Sequence, residues 1–357
     1  MEVASIERKG LPTGVGFAVL AAALFGASTP FAKLLLGGLP PVLLAGLLYL
    51  GSGLGLTLLR LCRRQSAEAR LTRKDYPWLA GAVLFGGVLG PVMLLLGLGA
   101  TPASTASLLL NLEGVFTALL AWFAFKENFD RRIALGMLLI VAGGILLSWQ
   151  GVAGLGLPLG SLGIAGACLC WGIDNNLTQK VSAGDPVQVA AIKGAAAGTV
   201  NLALGLFLGG KLPVPPVLLS ALLVGFLGYG CSLVLFVLAL RHVGTARTGA
   251  YFSLAPFVGA GVSLVLLHEP VGPLFISAAV LMGIGVWLHL TEKHEHTHTH
   301  ERMAHSHRHV HDEHHKHAHD HDVDPSEPHT HWHEHEPLTH THPHYPDIHH
   351  RHGHTQV

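Results

Sequence analysis

Charge is scarce in this sequence, and scarcest where most of the chain lies. Only 12% of the 357 residues are Asp, Glu, Lys or Arg, about half the ~25% of an ordinary soluble domain. Of the 22 acidic residues, 10 fall in residues 1–290 and 12 after them. A segment that long with so few charges cannot solvate its own surface, which excludes a water-soluble globular fold for residues 1–290. Cysteine is scarce too. Cys62, Cys168, Cys170 and Cys231 sit in or beside apolar stretches, without the spacing of a disulfide framework or of paired CxxC zinc ligands. The one close pair, Cys168-x-Cys170, reads as small-residue packing. Signature motifs of catalysis are also missing. No metal-hydrolase motif, nucleophile elbow or phosphate-binding glycine loop stands in a polar segment. The lack of a GxxxxGK[ST] sequence argues against ATP-driven pumping by this chain alone. The chain is therefore not expected to be an enzyme, to require a cofactor or to bind nucleic acid.

Long apolar runs fill the space that charge leaves. A span of the hydrocarbon core takes roughly 20 residues. Runs bounded by polar or Pro/Gly breaks predict ten of them: 13–36, 40–61, 77–99, 102–125, 133–149, 159–180, 187–209, 216–239, 245–267 and 271–290. The first is too long for a signal-peptide core of roughly 7–15 residues and reads as a true span. The fold class expected is an all-α polytopic membrane protein. Lys and Arg stay on the cytoplasmic side of a membrane. With the N-terminus inside, fourteen of them, from Arg8 to Arg247, collect on the inner side and only Lys211 lies outside. Both termini are thus expected in the cytoplasm of a cell with this protein in its inner membrane.

The ten spans fall into halves of five. A 142-residue offset superposes Leu112 on Leu254, Glu127 on Glu269 and Gly143 on Gly285, while Phe25-Gly26 aligns with Trp171-Gly172. An odd number of spans per half makes the second half enter the membrane from the opposite side, the inverted-repeat architecture of many secondary transporters. The expected organisation is a short N-terminus (1–12), repeats at 13–150 and 151–290, and a tail (291–357).

The run Phe25-Gly26-Ala27-Ser28-Thr29-Pro30-Phe31-Ala32-Lys33, the stretches Thr105–Glu127 and Thr248–Glu269, and Trp171-Gly172 resemble the EamA type of the drug/metabolite transporter superfamily. The resemblance covers about 280 residues and stops at the tail. It implies ten helices in two inverted repeats and movement of small solutes, with amino acids and related metabolites the better-known cargo. Two positions depart from the family pattern. Phe25 stands where Trp is frequent, and Gly114 where Pro is common and where the second half keeps Pro256.

Ionisable groups inside a span cost roughly 2.5–3.5 kcal/mol at the helix centre, so each needs a reason. Lys33, Glu113, Asp174 and Lys193 qualify, two acids and two bases that could pair across the bundle. Lys33 is close enough to its helix end to snorkel. Asp174 belongs to the polar cluster Asp174-Asn175-Asn176, with Thr178 one turn on. Lys33, Glu113, Asp174, Asn175 and Lys193 are the candidate pathway residues. Asp174 or Glu113, facing a cavity, could carry a proton in antiport; the equal alternative is structural pairing. Glu127 and Glu269 end repeat-equivalent spans and read as structural acids that anchor loops or pair with basic neighbours. Pro30, Pro91 and Pro256 are expected to kink helices. Close-set glycines such as Gly51, Gly53, Gly55 and Gly225, Gly228, Gly230 read mainly as membrane packing.

The tail differs in every respect. It holds 24 of the 27 histidines, in alternating runs at His294, His296, His298 and His300, at His305, His307, His309 and His311, and at His329, His331, His333 and His335. Neutral imidazoles suit Zn, Ni, Cu and Co, so the tail is expected to bind divalent transition metals. With almost no aliphatic residues it is expected to be disordered. It could deliver metal to a metal-exporting pore, sense metal and gate another flux, or buffer. The leading functional expectation is a secondary transporter, in the export direction, for a small solute or a divalent metal. A membrane-anchored metal store or sensor is the competitor from another class. The partners expected are the bilayer, the substrate and at most a second copy of the chain as a homodimer.

Overall fold

The computed structural model describes residues 13–62, 71, 73–125, 131–149, 158–181, 185–291, 295–300, 303–309, 329–335 and 338–343. The regular elements of the membrane-type segment are all helices among the described residues. α1 (Thr13–Leu36) and α2 (Pro41–Cys62) are followed by α3 (Tyr76–Ala82), which passes through a π-helical segment (Val83–Leu89) into α4 (Gly90–Gly99). α5 (Ala103–Leu109) and α6 (Leu112–Phe125) share one expected span, and α7 (Arg131–Ser148) follows. α8 (Leu159–Gln179) and α9 (Pro186–Phe207) come next. Then α10 (Pro215–Gly225), a second π-helical segment (Phe226–Cys231) and α11 (Ser232–Phe252) run on without a break. α12 (Ala255–Leu267) and α13 (Pro273–Leu290) complete the bundle.

Seven helical stretches among the described residues are long and apolar enough to cross a membrane, from Gly14–Leu36 to Pro215–Ala239. Ala255–Leu267 and Pro273–Leu288 are shorter apolar helices. Leu58, Leu138, Leu162, Leu219 and Val265 are exposed on the outside. An apolar belt of that kind suits lipid.

Glycine sets how closely the helices approach. On α2 and α9, a Cβ built at Gly46 would meet the backbone of Asn201 and Leu202, one at Gly198 would meet Leu50, and one at Gly53 would meet Gly194 and Ala195. Residue numbers rise on α2 as they fall on α9, so the two helices are antiparallel. The same holds for α7 and α13, where Gly143 lies beside Ala278 and Met282, and Gly285 beside Gly136 and Ile140. Asp185 and Pro186 start α9: the Asp185 side chain accepts a hydrogen bond from Val187 N at 2.9 Å, and Pro occupies a position that needs no N–H.

Two expectations need correction. The chain does not break at residues 240–244, between the eighth and ninth expected spans. α11 runs through that interval, and the break falls at Ser253 and Leu254. There Pro256 suits the first turn of a new helix but not the middle of an old one. The expected span 102–125 is itself divided at Leu110 and Asn111. These two breaks, and the two π segments, are related by the offset that aligns Glu127 with Glu269, within one residue. The first break has no proline of its own at the equivalent place, where Gly114 stands in open space. Pro30 lies inside α1.

The tail is not wholly without regular structure. β1 (Glu295–His300) pairs antiparallel with β4 (Leu338–Pro343), and β2 (Met303–His309) with β3 (His329–His335). Period-two alternation, here His with Thr, Ser or an acid, is the repeat of a strand, and composition alone hid that. His294 and His311 lie outside the described residues.

Candidate functional site

Four of the five candidate pathway residues converge in the middle of the bundle. On α8, Asp174 faces α9, and its two oxygens accept from Lys193 Nζ at 2.6 and 2.7 Å. Thr178 Oγ1 accepts a third bond from Lys193 at 3.1 Å and donates to Asp174 Oδ1 at 2.8 Å. All three ammonium donors are thereby used. Asp174 and Lys193 are each 7% exposed, so this is a sealed, internally neutral pair. Gly86 makes room for it, since a Cβ there would collide with the Asp174 carboxylate.

The π segment serves the same centre. Its last backbone bond runs from Gly90 N to Phe85 O, and Pro91 has no N–H to offer the carbonyl of Gly86 or Gly87 in either helical register. Side chains take over. Gly86 O accepts from Tyr49 Oη at 2.7 Å and from Trp171 Nε1 at 3.0 Å, and Gly87 O accepts from Asn201 Nδ2 at 2.9 Å. A π insertion thus ties α2, α8 and α9 to one point.

Glu113 differs from Asp174. It lies at the start of α6, and its Oε1 accepts from Asn175 Nδ2 at 2.9 Å; the same amide donates to Thr117 Oγ1 at 3.2 Å. No cation pairs with it among the described residues. Glu113 is half-buried and Asn175 is exposed, as is Gly114. Asn175 nevertheless continues the face of α8 formed by Ile164, Cys168 and Trp171, at helical spacing, and those three are buried. The lipid-side residues of the same helix, Leu162 and Leu169, point elsewhere. Asn175 is therefore exposed on a face of α8 that is otherwise buried.

Lys33 stands apart from this centre. Its Nζ donates to the carbonyls of Leu98 and, at 2.9 Å, Thr101. Glu269 reaches the same turn, accepting from Ala103 N at 2.7 Å and Ser104 N at 2.8 Å. His268, with φ 52°, turns the chain that delivers it. The acid and the base clamp residues 98–104 from two sides, and Glu269 makes its bonds to backbone rather than to a basic side chain. Glu127 lies outside the described residues. Sequence reasoning passed over Thr117, Tyr49, Asn201 and Gly86. Thr117 carried a usable signal, one turn on from Glu113. Gly86 carried none, because its neighbour is fixed only by tertiary packing. Among the described residues no group of three or more His, Cys, Asp or Glu is placed to hold a metal ion.

Residues 12–149 and 158–291 each match the EamA-like transporter family. The chain belongs to that family. An uncharacterized transporter of Methanothermobacter thermautotrophicus is 30% identical over 287 residues, covering 76% of this chain and 84% of that one. The uncharacterized transporter YvbV of Bacillus subtilis is 23% identical over 76% of this chain and 89% of its own length. A probable 4-amino-4-deoxy-L-arabinose-phosphoundecaprenol flippase subunit, ArnE of an Enterobacter species, is 37% identical over 25% of this chain and 81% of itself. A protein of known crystal structure superimposes with a TM-score of 0.57 at 19% identity, over 78% of this chain and 96% of that one; this likeness concerns the fold. The EamA-like chain is a multi-pass membrane transporter of the drug/metabolite type.

Proposed function

We propose that this EamA-like chain is a secondary transporter that exports a small solute by alternating access, with Glu113, Asn175 and Thr117 in its pathway. Its ten spans are two inverted five-helix repeats in the inner membrane, both termini cytoplasmic. The observation that carries this reading is the exposure of Asn175 on an otherwise buried helix face beside a carboxylate with no cation among the described residues. Such groups in a bilayer need water within reach, and a cleft inside the bundle supplies it. Inversion is supported by the antiparallel packing of α2 on α9 and of α7 on α13, each helix against its own repeat equivalent. The clamp of Lys33 and Glu269 on residues 98–104 closes one end. The cleft then opens where α6 and α8 finish, the end that the Lys and Arg bias assigns to the cytoplasm, and cargo loads from there. Asp174 and Lys193 hold the site in position.

The test needs no knowledge of the cargo. In a variant lacking the four native cysteines, Asn175→Cys reacts with a membrane-impermeant thiol reagent, and faster in inside-out vesicles than in right-side-out ones. Absence of labelling from both sides overturns the reading.

A second reading concerns the tail, as a binder of divalent transition metals accessory to transport. It is favoured by backbone register: His296 lies opposite His342 and His298 opposite His340, while His305, His307 and His309 lie opposite His333, His331 and His329. Deleting residues 294–357 reduces bound Ni²⁺ or Zn²⁺ to background and leaves the labelling of Asn175→Cys unchanged. Undiminished metal binding by the truncated chain would place the metal site elsewhere.

A further inference from the structure

The pathway just proposed also carries information about the charge of its cargo, and the following rests on that reading. The central groups are unequal. Asp174 and Lys193 cancel, with every Lys193 donor engaged. Lys33 is held by carbonyls at the closed end. Glu113 is left as an acid with one amide donor on Oε1, and Oε2 has no donor among the described residues. The open site thus offers one acid, and no cation among the described side chains pairs with it.

Its surroundings are aromatic. Phe116 follows Glu113 by three residues and Trp171 precedes Asn175 by four, so each lies one helical turn from the Glu113–Asn175 bond. Phe25 packs edge-on to Trp171 at 6.1 Å and to Tyr229 at 5.8 Å, and lies 5.5 Å from Phe252. Phe25, Phe116, Tyr229 and Phe252 are half-buried, so parts of these rings remain free for contact. Ring faces near a carboxylate favour a cation that carries its own apolar surface.

We propose that Glu113, Asn175 and Thr117 bind the ammonium group of a small monocationic amine, with the aromatic cluster taking its flat apolar body. The ammonium donates to Glu113 Oε2, and Thr117 Oγ1 accepts from it. Zwitterionic amino acids fit poorly, because their carboxylate would come beside the Glu113 acid with no cation paired there among the described residues. A bare divalent transition metal fits poorly as well, since one carboxylate beside an amide and a hydroxyl lacks the imidazole or thiolate donors such ions select, and no three-ligand group stands among the described residues.

The full-length chain in lipid nanodiscs, titrated calorimetrically against empty nanodiscs, tests this with three probes that share one ring: tyramine, tyrosine and p-cresol. Tyramine binds saturably. p-Cresol binds about tenfold or more weakly, as the loss of a charge-assisted hydrogen bond implies, and tyrosine by a similar factor because its carboxylate has no cation to meet. Glu113→Gln weakens tyramine by a similar factor while keeping a monodisperse gel-filtration profile, and Glu113→Asp restores part of the affinity. Tyrosine binding as tightly as tyramine, no binding of tyramine, or unchanged affinity in Glu113→Gln each overturn the proposal. If Glu113→Gln does not fold, the comparison of probes on the unaltered chain decides alone. Labelling of Asn175→Cys together with absent tyramine binding would remove the amine inference and leave the cleft standing.

Discussion

Asp174→Ala lowers the stability of the bundle by about 3–5 kcal/mol, the range for breaking a buried ion pair from one side. Most of that loss comes from the partner left behind. Lys193 is 7% exposed, with its ammonium 2.6 Å from Asp174, and without the carboxylate it keeps only Thr178. It cannot reach water by extending, because α9 around it is buried at Val189, Ala190, Gly194 and Ala197. Thermal unfolding of the purified protein in nanodiscs, read beside its abundance in membranes, measures the effect. Lys193→Met alone is expected to cost a comparable amount by stranding Asp174. The double variant Asp174→Leu, Lys193→Met recovers most of the loss, since two apolar groups remove both desolvation penalties together. A single variant as stable as the parent would show that the pair is not sealed.

Gly53→Val carries the second largest effect. The atoms that an added Cβ would meet are backbone, with Ala195 Cα and Gly194 C both at 2.7 Å, and backbone inside a helix cannot swing aside as a side chain can. α2 and α9 would have to separate along a seam that also joins Gly46 to Leu202 and Gly198 to Leu50. Overpacking of this kind costs about 1–3 kcal/mol, and Val, with two methyls beyond the Cβ, lies at the upper end. Gly16, with nothing within 4 Å, is the control: Gly16→Val leaves the unfolding temperature near that of the parent. Equal effects at the two positions would mean that the seam does not hold α2 to α9. Glycine here is a packing residue, and the close-set run Gly51, Gly53, Gly55 divides its contacts. Gly53 faces α9, Gly51 faces Leu222 of α10, and Gly55 faces Phe226 of the second π segment.

A good part of this was legible in the sequence. The charge-poor first 290 residues could belong only to a membrane protein, because no other solvent accepts them. Of the rare ionisable residues inside apolar runs, Asp174 and Lys193 pair, Glu113 bonds Asn175 next along α8, and Lys33 stays apart. Lys33 lay near a helix end in the sequence, and in the fold its ammonium reaches the turn after α4. The two π segments and the two helix breaks lie within one residue of the 142-residue offset between Glu127 and Glu269. The breaks themselves were not legible at their true positions. A helix can stop at Asn111 or run on through Arg241 and His242 according to what its neighbours supply, and hydropathy does not record that.

Composition and periodicity therefore determined the solvent, the helical class and the short list of polar residues, because each follows from the chain's own side chains and from what lipid tolerates. Tertiary structure decided how those residues differ. Only the packing of α8 against α9 gives Asp174 its cation, and only the packing of α8 against α6 gives Glu113 its amide partner. In a low-dielectric interior the partner across the gap sets the meaning of a charge, and that partner is 19 residues away for Asp174 and 62 for Glu113, distances along the chain that no local pattern spans.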